Sequence, residues 1–113
     1  MAHLSTHILD TSRGRPAEGV VVILERRGDA GWATLGEAVT DRDGRAGNLL
    51  PPGSSLDAGD YRLTFAVAGY FESLGVPVFY PEVVVLVRLD GSSDRYHLPL
   101  LLNPFGYSTY RGS

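Results

Sequence analysis

In Tyr61-Arg62-Leu63-Thr64-Phe65-Ala66-Val67, Tyr61, Leu63, Phe65 and Val67 fall on one face and Arg62 and Thr64 on the other. That period of two predicts a strand with one packed face, and no long stretch of the chain keeps the 3.6-residue period of a helix. Val20 to Glu25 and Val83 to Leu89 are nearly continuous apolar runs. Strands of that kind sit centrally in a sheet or turn their second face to another subunit. Leu4 to Asp10, Trp32 to Thr40, Tyr96 to Leu102 and Tyr107 to Arg111 are further strand candidates. Asp43-Gly44 and Asp90-Gly91 signal turns, because glycine accepts positive φ cheaply. Asn103-Pro104-Phe105-Gly106 fits a hairpin joining the last two strands, and Pro51 to Ser55 a loop. Gly69 to Gly75 is the one place for a short helix. With 14 glycines and 7 prolines punctuating short strands, the pattern predicts an all-β sandwich or barrel.

A length of 113 residues leads us to expect one domain spanning residues 1–113. The chain has no cysteine, which excludes a disulfide framework, a thiolate nucleophile and a cysteine zinc site. Its formal net charge of −3 argues against nonspecific nucleic-acid binding, which needs a phosphate-neutralising surface. Met1 to His7 has neither a basic start nor an apolar stretch, so no secretory signal is expected. The aliphatic runs are far too short to span a bilayer. The expectation is a soluble, cytoplasmic protein without a membrane or nucleic-acid partner.

Strand alternation places the polar candidates. In Tyr96 to Leu102, Tyr96, Leu98 and Leu100 share one face, and His97, Pro99 and Leu101 the other. In Leu4 to Asp10, Leu4, Thr6 and Ile8 oppose Ser5, His7 and Leu9. With Ile8 and Leu98 inward, His7 and His97 point outward. Each is open to two readings: an interface histidine, or an imidazole that takes a proton from water near neutral pH. Arg45, after the Asp43-Gly44 turn, is either an exposed arginine or a planar donor fork for a carbonyl-rich or anionic ligand. Near the C-terminus, Ser108 and Tyr110 share a face opposite Tyr107 and Thr109. The segment Tyr107 to Ser113 reads as a short edge strand or as a terminus packed into a site. His3 is expected to be a mobile terminal residue. It stands roughly 13 Å from His7 by strand rise, too far for the two to share a zinc ion.

Several stretches together resemble the 5-hydroxyisourate hydrolases of the transthyretin-like family. They are LSTHILDTSRGRPA (Leu4 to Ala17), TDRDGR (Thr40 to Arg45) and RYHLPLLLNPFGYSTYRGS (Arg95 to Ser113). GDYRLTFAVAGYF (Gly59 to Phe71) and FYPEVVV (Phe79 to Val85) also fit, so the resemblance covers nearly the whole chain. The terminal Tyr-Arg-Gly-Ser is its most specific part. It separates the hydrolases from transthyretin, the hormone carrier of similar fold.

The resemblance implies a transthyretin-like, two-sheet β-sandwich of about eight strands with one short helix. It implies a homotetramer built as a dimer of dimers, with the outer face of one sheet lining a channel. It also implies hydrolysis of 5-hydroxyisourate without metal or organic cofactor. On that basis His7 and His97 are expected to activate water and move protons, and Arg45 to bind substrate oxygens. Tyr110 is expected to shape the pocket, and Ser113 to position water or a histidine. Ser108 and Arg111 are grouped with the substrate-binding set, Arg111 as a brace for the terminus. The alternatives are a transthyretin-like carrier of a small aromatic ligand and a β domain without catalysis.

Overall fold

The computed structural model describes residues 2–47 and 49–112. The chain runs through β1 (His3–Asp10), β2 (Arg15–Pro16), β3 (Val21–Gly28), β4 (Gly31–Val39), β5 (Gly59–Phe65), α1 (Val67–Ser73), β6 (Val83–Leu89), β7 (Arg95–Asn103) and β8 (Gly106–Thr109). The strands form two four-stranded sheets, ordered β2-β1-β7-β8 and β4-β3-β5-β6. Alternate side chains of both sheets meet between them. Ile8, Val22, Leu24, Leu63, Phe65 and Leu100 are fully buried there. This is the expected two-sheet sandwich of eight strands with one short helix. Burial of these apolar side chains is its main source of stability.

β1 and β7 pair in parallel over their whole shared length, from His3 opposite Arg95 to Asp10 opposite Leu102. Parallel pairing sets the two histidine-bearing strands side by side although they lie 92 residues apart. Thr6, Ile8 and Asp10 of β1 and Leu98, Leu100 and Leu102 of β7 are buried. Ser5, His7, His97 and Leu101 therefore project from the opposite face. β8 returns antiparallel to β7 after the Pro104-Phe105 turn, with Asn103 opposite Gly106.

Two expectations about the elements are corrected. The strand from Tyr61 ends at Phe65, because Ala66 leaves the β region at φ −81° and ψ 72°. Val67 opens the helix rather than closing the strand, so α1 starts two residues earlier than Gly69 and ends at Ser73. Val67, Tyr70 and Phe71 are its buried residues, an i, i+3, i+4 set. Val67 satisfies the strand period and the helix period at once, which hides the boundary. Of the two readings open for the apolar run Val83–Leu89, the central one does not hold: it is an edge strand, with Val84 43% and Leu86 60% exposed on its outer face.

α1 is tied to the first sheet by a buried hydrogen bond. The Tyr70 hydroxyl donates to Asp10 Oδ2 at 2.7 Å, and the Ser12 amide donates to Oδ1 at 3.0 Å. Burial and the Asp10 carboxylate both push the Tyr70 phenol above its ordinary value. A carboxylate that is fully buried is tolerated because these donors satisfy it.

Candidate functional site

The outer faces of the two sheets differ in kind. On β3 and β5 the charges pair off. Arg62 donates to Glu25 at 2.8 Å and lies over the Trp32 ring at 4.3 Å. Asp60 takes Arg88 at 2.7 Å and Arg27 at 3.4 Å. On the first sheet, His3, His7, Arg45, Arg95 and His97 gather, and among the described residues no ion pair engages any of them. Unpaired cationic and imidazole groups around a hollow are suited to an electron-rich ligand.

The hollow is a cleft of about 480 Å³ lined by His3, Ser5, Arg45, Arg95, Tyr96, His97 and Gly112. β7 delivers His97 and Arg95 to it, and β1 delivers Ser5 and His3, all by two-residue alternation. His3, expected to be a loose terminal residue, is the first residue of β1. It pairs with Arg95, and its amide bonds the Asp94 carbonyl at 3.0 Å. His7 stands opposite Pro99, one alternate position further along. Strand spacing and rise put its Cα roughly 8 Å from that of His97.

Arg45 arrives on a turn built for it. The Asp41 carboxylate accepts the amides of Arg45 at 3.0 Å and Asp43 at 2.9 Å. Those two hydrogen bonds, together with the Arg45 and His7 charges, hold the Asp41 carboxyl below its ordinary value. Thr40 anchors the turn from below, donating to the Ala17 carbonyl at 2.7 Å and accepting the Val20 amide at 2.9 Å. Gly44 turns at φ +77° and lends its carbonyl to the Ile8 amide at 2.8 Å. A β-carbon there would overlap the Ile8 carbonyl oxygen. The close approach needs glycine, and it leaves His7 and Arg45 as bridged neighbours on β1 and the turn.

His97 is held on two sides. Ser5 Oγ lies 2.8 Å from its Nδ1, and Gly112 packs against its Cδ2 edge. The Gly112 amide donates to the His97 carbonyl at 2.8 Å, which carries the β8 pairing on past Thr109. Burial pushes the His97 pKa below its ordinary value, and the positive charges of Arg45 and His7 push the same way. A neutral imidazole beside a guanidinium can accept a proton from water while the guanidinium receives developing negative charge.

The other expected residues are spread around this centre. Ser108 is exposed opposite Leu101. Tyr110 and Arg111 line a second, apolar groove of about 290 Å³ along the β6 and β8 edges, with Leu4, Val85 and Leu86, and His97 borders both hollows. Arg111 stacks over the Tyr96 ring at 4.7 Å, a bracing contact. Ser113 lies outside the described residues. Ser5 and Gly112 were not singled out in the sequence. Alternation puts Ser5 on the outward face, but only the β1–β7 register sets it against His97. Gly112 had as its signal the requirement for a residue without a side chain beside a functional ring.

The chain is similar along most of its length to proteins of known activity and structure. The 5-hydroxyisourate hydrolase of Salmonella dublin is 47% identical over 110 residues, covering 97% of this chain and 80% of that protein. The solved structure of Klebsiella pneumoniae 5-hydroxyisourate hydrolase superposes with a TM-score of 0.86 at 41% identity, covering 100% of this chain and 94% of that one. Sea bream transthyretin, solved in complex with thyroxine, superposes with a TM-score of 0.89 at 31% identity, covering 96% of this chain and 93% of its own. The model of the HIUase/Transthyretin family matches residues 4–112, and the chain belongs to that family.

Proposed function

We propose that this protein hydrolyses 5-hydroxyisourate to 2-oxo-4-hydroxy-4-carboxy-5-ureidoimidazoline in urate degradation. The observation that carries the reading is that His97 and Arg45 line one cleft, with His7 bridged to Arg45 beside it, in a chain 47% identical to a hydrolase of that name.

Water attacks a ring acyl carbon bonded to nitrogen. His97, kept neutral by burial and by Arg45, takes the proton from the attacking water. The Arg45 guanidinium binds the substrate oxygens and stabilises the oxyanion. The C–N bond then breaks, a proton passes to the departing nitrogen, and the acyl carbon stays on the opened product as its carboxylate. His7, bridged to Arg45, is the second proton-handling group. Tyr110 and Ser108 border the substrate from the β8 side, Arg111 braces them on Tyr96, and Ser113 positions water or a histidine. The chain's own residues supply every step, so no cofactor enters the proposal.

The working form is a homotetramer of two dimers in the cytoplasm. The open edges of β6 and β8 and the exposed Val84, Leu86 and Tyr107 favour such assembly, because unpaired edges and apolar patches invite partners. In that form the cleft opens on a channel between dimers.

The rival is a carrier of a small aromatic ligand. It is favoured by a slightly higher TM-score to transthyretin, 0.89 against 0.86. Backbone likeness at that level describes the scaffold, whereas the side chains decide between the two. A carrier has no use for a neutral imidazole beside a guanidinium. Fresh 5-hydroxyisourate, generated in place with urate oxidase, separates the readings. Catalysed loss of the compound supports hydrolysis, and decay at the uncatalysed rate with the folded protein present supports the carrier.

A further inference from the structure

We propose that Ser5 is a positioning residue whose hydroxyl oxygen accepts the Nδ1 proton of His97, fixing the neutral tautomer in which Nε2 carries its lone pair into the cleft. The inference rests on the reading of His97 as the base and adds the group that makes it one.

The geometry comes from strand register. Ser5 and His97 are direct partners across the parallel β1–β7 pair. Both project from the outer face, which brings Ser5 Oγ to 2.8 Å from Nδ1. Among the described residues no other side chain hydrogen-bonds this ring. The Cδ2 edge is turned the opposite way, against Gly112 beyond β8. With Nδ1 toward β1 and Cδ2 toward the chain past β8, the remaining edge, Nε2 and Cε1, faces away from the sheet into the cleft.

A histidine serves as a base through whichever nitrogen lacks the proton, and the hydrogen bond made by the other nitrogen decides which that is. A hydroxyl can donate or accept, so the contact alone allows both tautomers. The ring's seat in the cleft chooses between them. Nε2 is the nitrogen turned to the cleft, and a ring that takes a proton from water there must hold its own hydrogen on Nδ1, where Ser5 Oγ at 2.8 Å is placed to accept it. An imidazole without such a partner favours its proton on Nε2 in water, the form that cannot take a proton there.

Ser5 is exposed at the cleft, so its replacement spares the core. The test reads the His97 tautomer directly from side-chain ¹⁵N shifts, at a pH where the ring is neutral, in the wild type, Ser5→Ala and Ser5→Thr. Turnover of 5-hydroxyisourate is measured on the same samples. The expected wild-type ring carries its proton on Nδ1. Ser5→Ala moves it toward Nε2 and lowers kcat about tenfold with KM little changed, the scale typical for losing a group that orients a functional imidazole. Ser5→Thr restores both. A wild-type proton on Nε2, or an unmoved tautomer in Ser5→Ala, overturns the proposal whatever the rate. A tautomer that moves as expected with an unchanged kcat supports Ser5's hold on the ring and removes His97 as the base.

Discussion

Gly112 donates its amide to the His97 carbonyl at 2.8 Å, and a β-carbon built on it would stand 2.8 Å from His97 Cδ2 and 3.3 Å from the Pro99 ring. The glycine thus allows the chain beyond β8 to lie flush against the imidazole. Gly112→Ala must displace the ring or the strand. Because the contact lies on the outer face, the core is spared. The expected outcome is an unchanged melting temperature and a kcat lower by on the order of a hundredfold, the typical worth of a well-placed general base. Thermal unfolding and steady-state kinetics on one preparation check it.

The pH dependence follows from the lowered His97 pKa. Activity needs the neutral ring, so it is lost as pH falls through the folded-state pKa. Burial and the Arg45 and His7 charges set that pKa below the ordinary 6.5. The acid limb of kcat/KM is therefore expected at a midpoint below 6.5, since that ratio reports the free enzyme. The same shift bears on stability. The unfolded chain binds a proton on this ring at higher pH than the folded one, so stability falls as pH drops below about 6.5 and levels off beneath the folded pKa. Arg45→Gln removes one of the two repelling charges. An NMR titration should then find the His97 pKa higher than in the wild type, and an unmoved value would mean that the Arg45 charge does not reach the ring.

Gly44→Ala addresses the turn rather than the ring. At φ +77°, an L side chain carries left-handed strain, and its β-carbon overlaps the Ile8 carbonyl oxygen. Together these predict a loss of about 2 kcal/mol or more in stability. Turnover should fall as well, because the turn that delivers Arg45 must shift. Arg45→Ala is expected to lose turnover while unfolding like the wild type. Denaturant unfolding of the two variants side by side distinguishes a delivery defect from the loss of the guanidinium itself.

The parts of this site that were legible in the sequence are those set by local periodicity. Alternation along Leu4 to Asp10 and Tyr96 to Leu102 puts His7 and His97 outward without knowledge of any partner strand. The Asp43-Gly44 signal foretells the turn before Arg45. Pairing is what local pattern omits. Ser5 and His97 are 92 positions apart, and only the parallel register of β1 and β7 sets them against each other. Val67 misled because it fits a strand face and a helix face equally well. β2, two residues long, is too short to carry any period. His3 seemed loose because a terminal position says nothing of the Asp94 carbonyl that holds it.

The central claim is that His97, His7 and Arg45 act together on water and a ring acyl group. The most direct measurement is the rate of 5-hydroxyisourate loss, with substrate generated by urate oxidase, for the wild type and for His97→Ala, His7→Ala and Arg45→Ala, each with a matching unfolding curve. The expected result is rapid catalysed loss in the wild type and a drop on the order of a hundredfold or more in each folded variant. Wild-type rates in all three variants would contradict it.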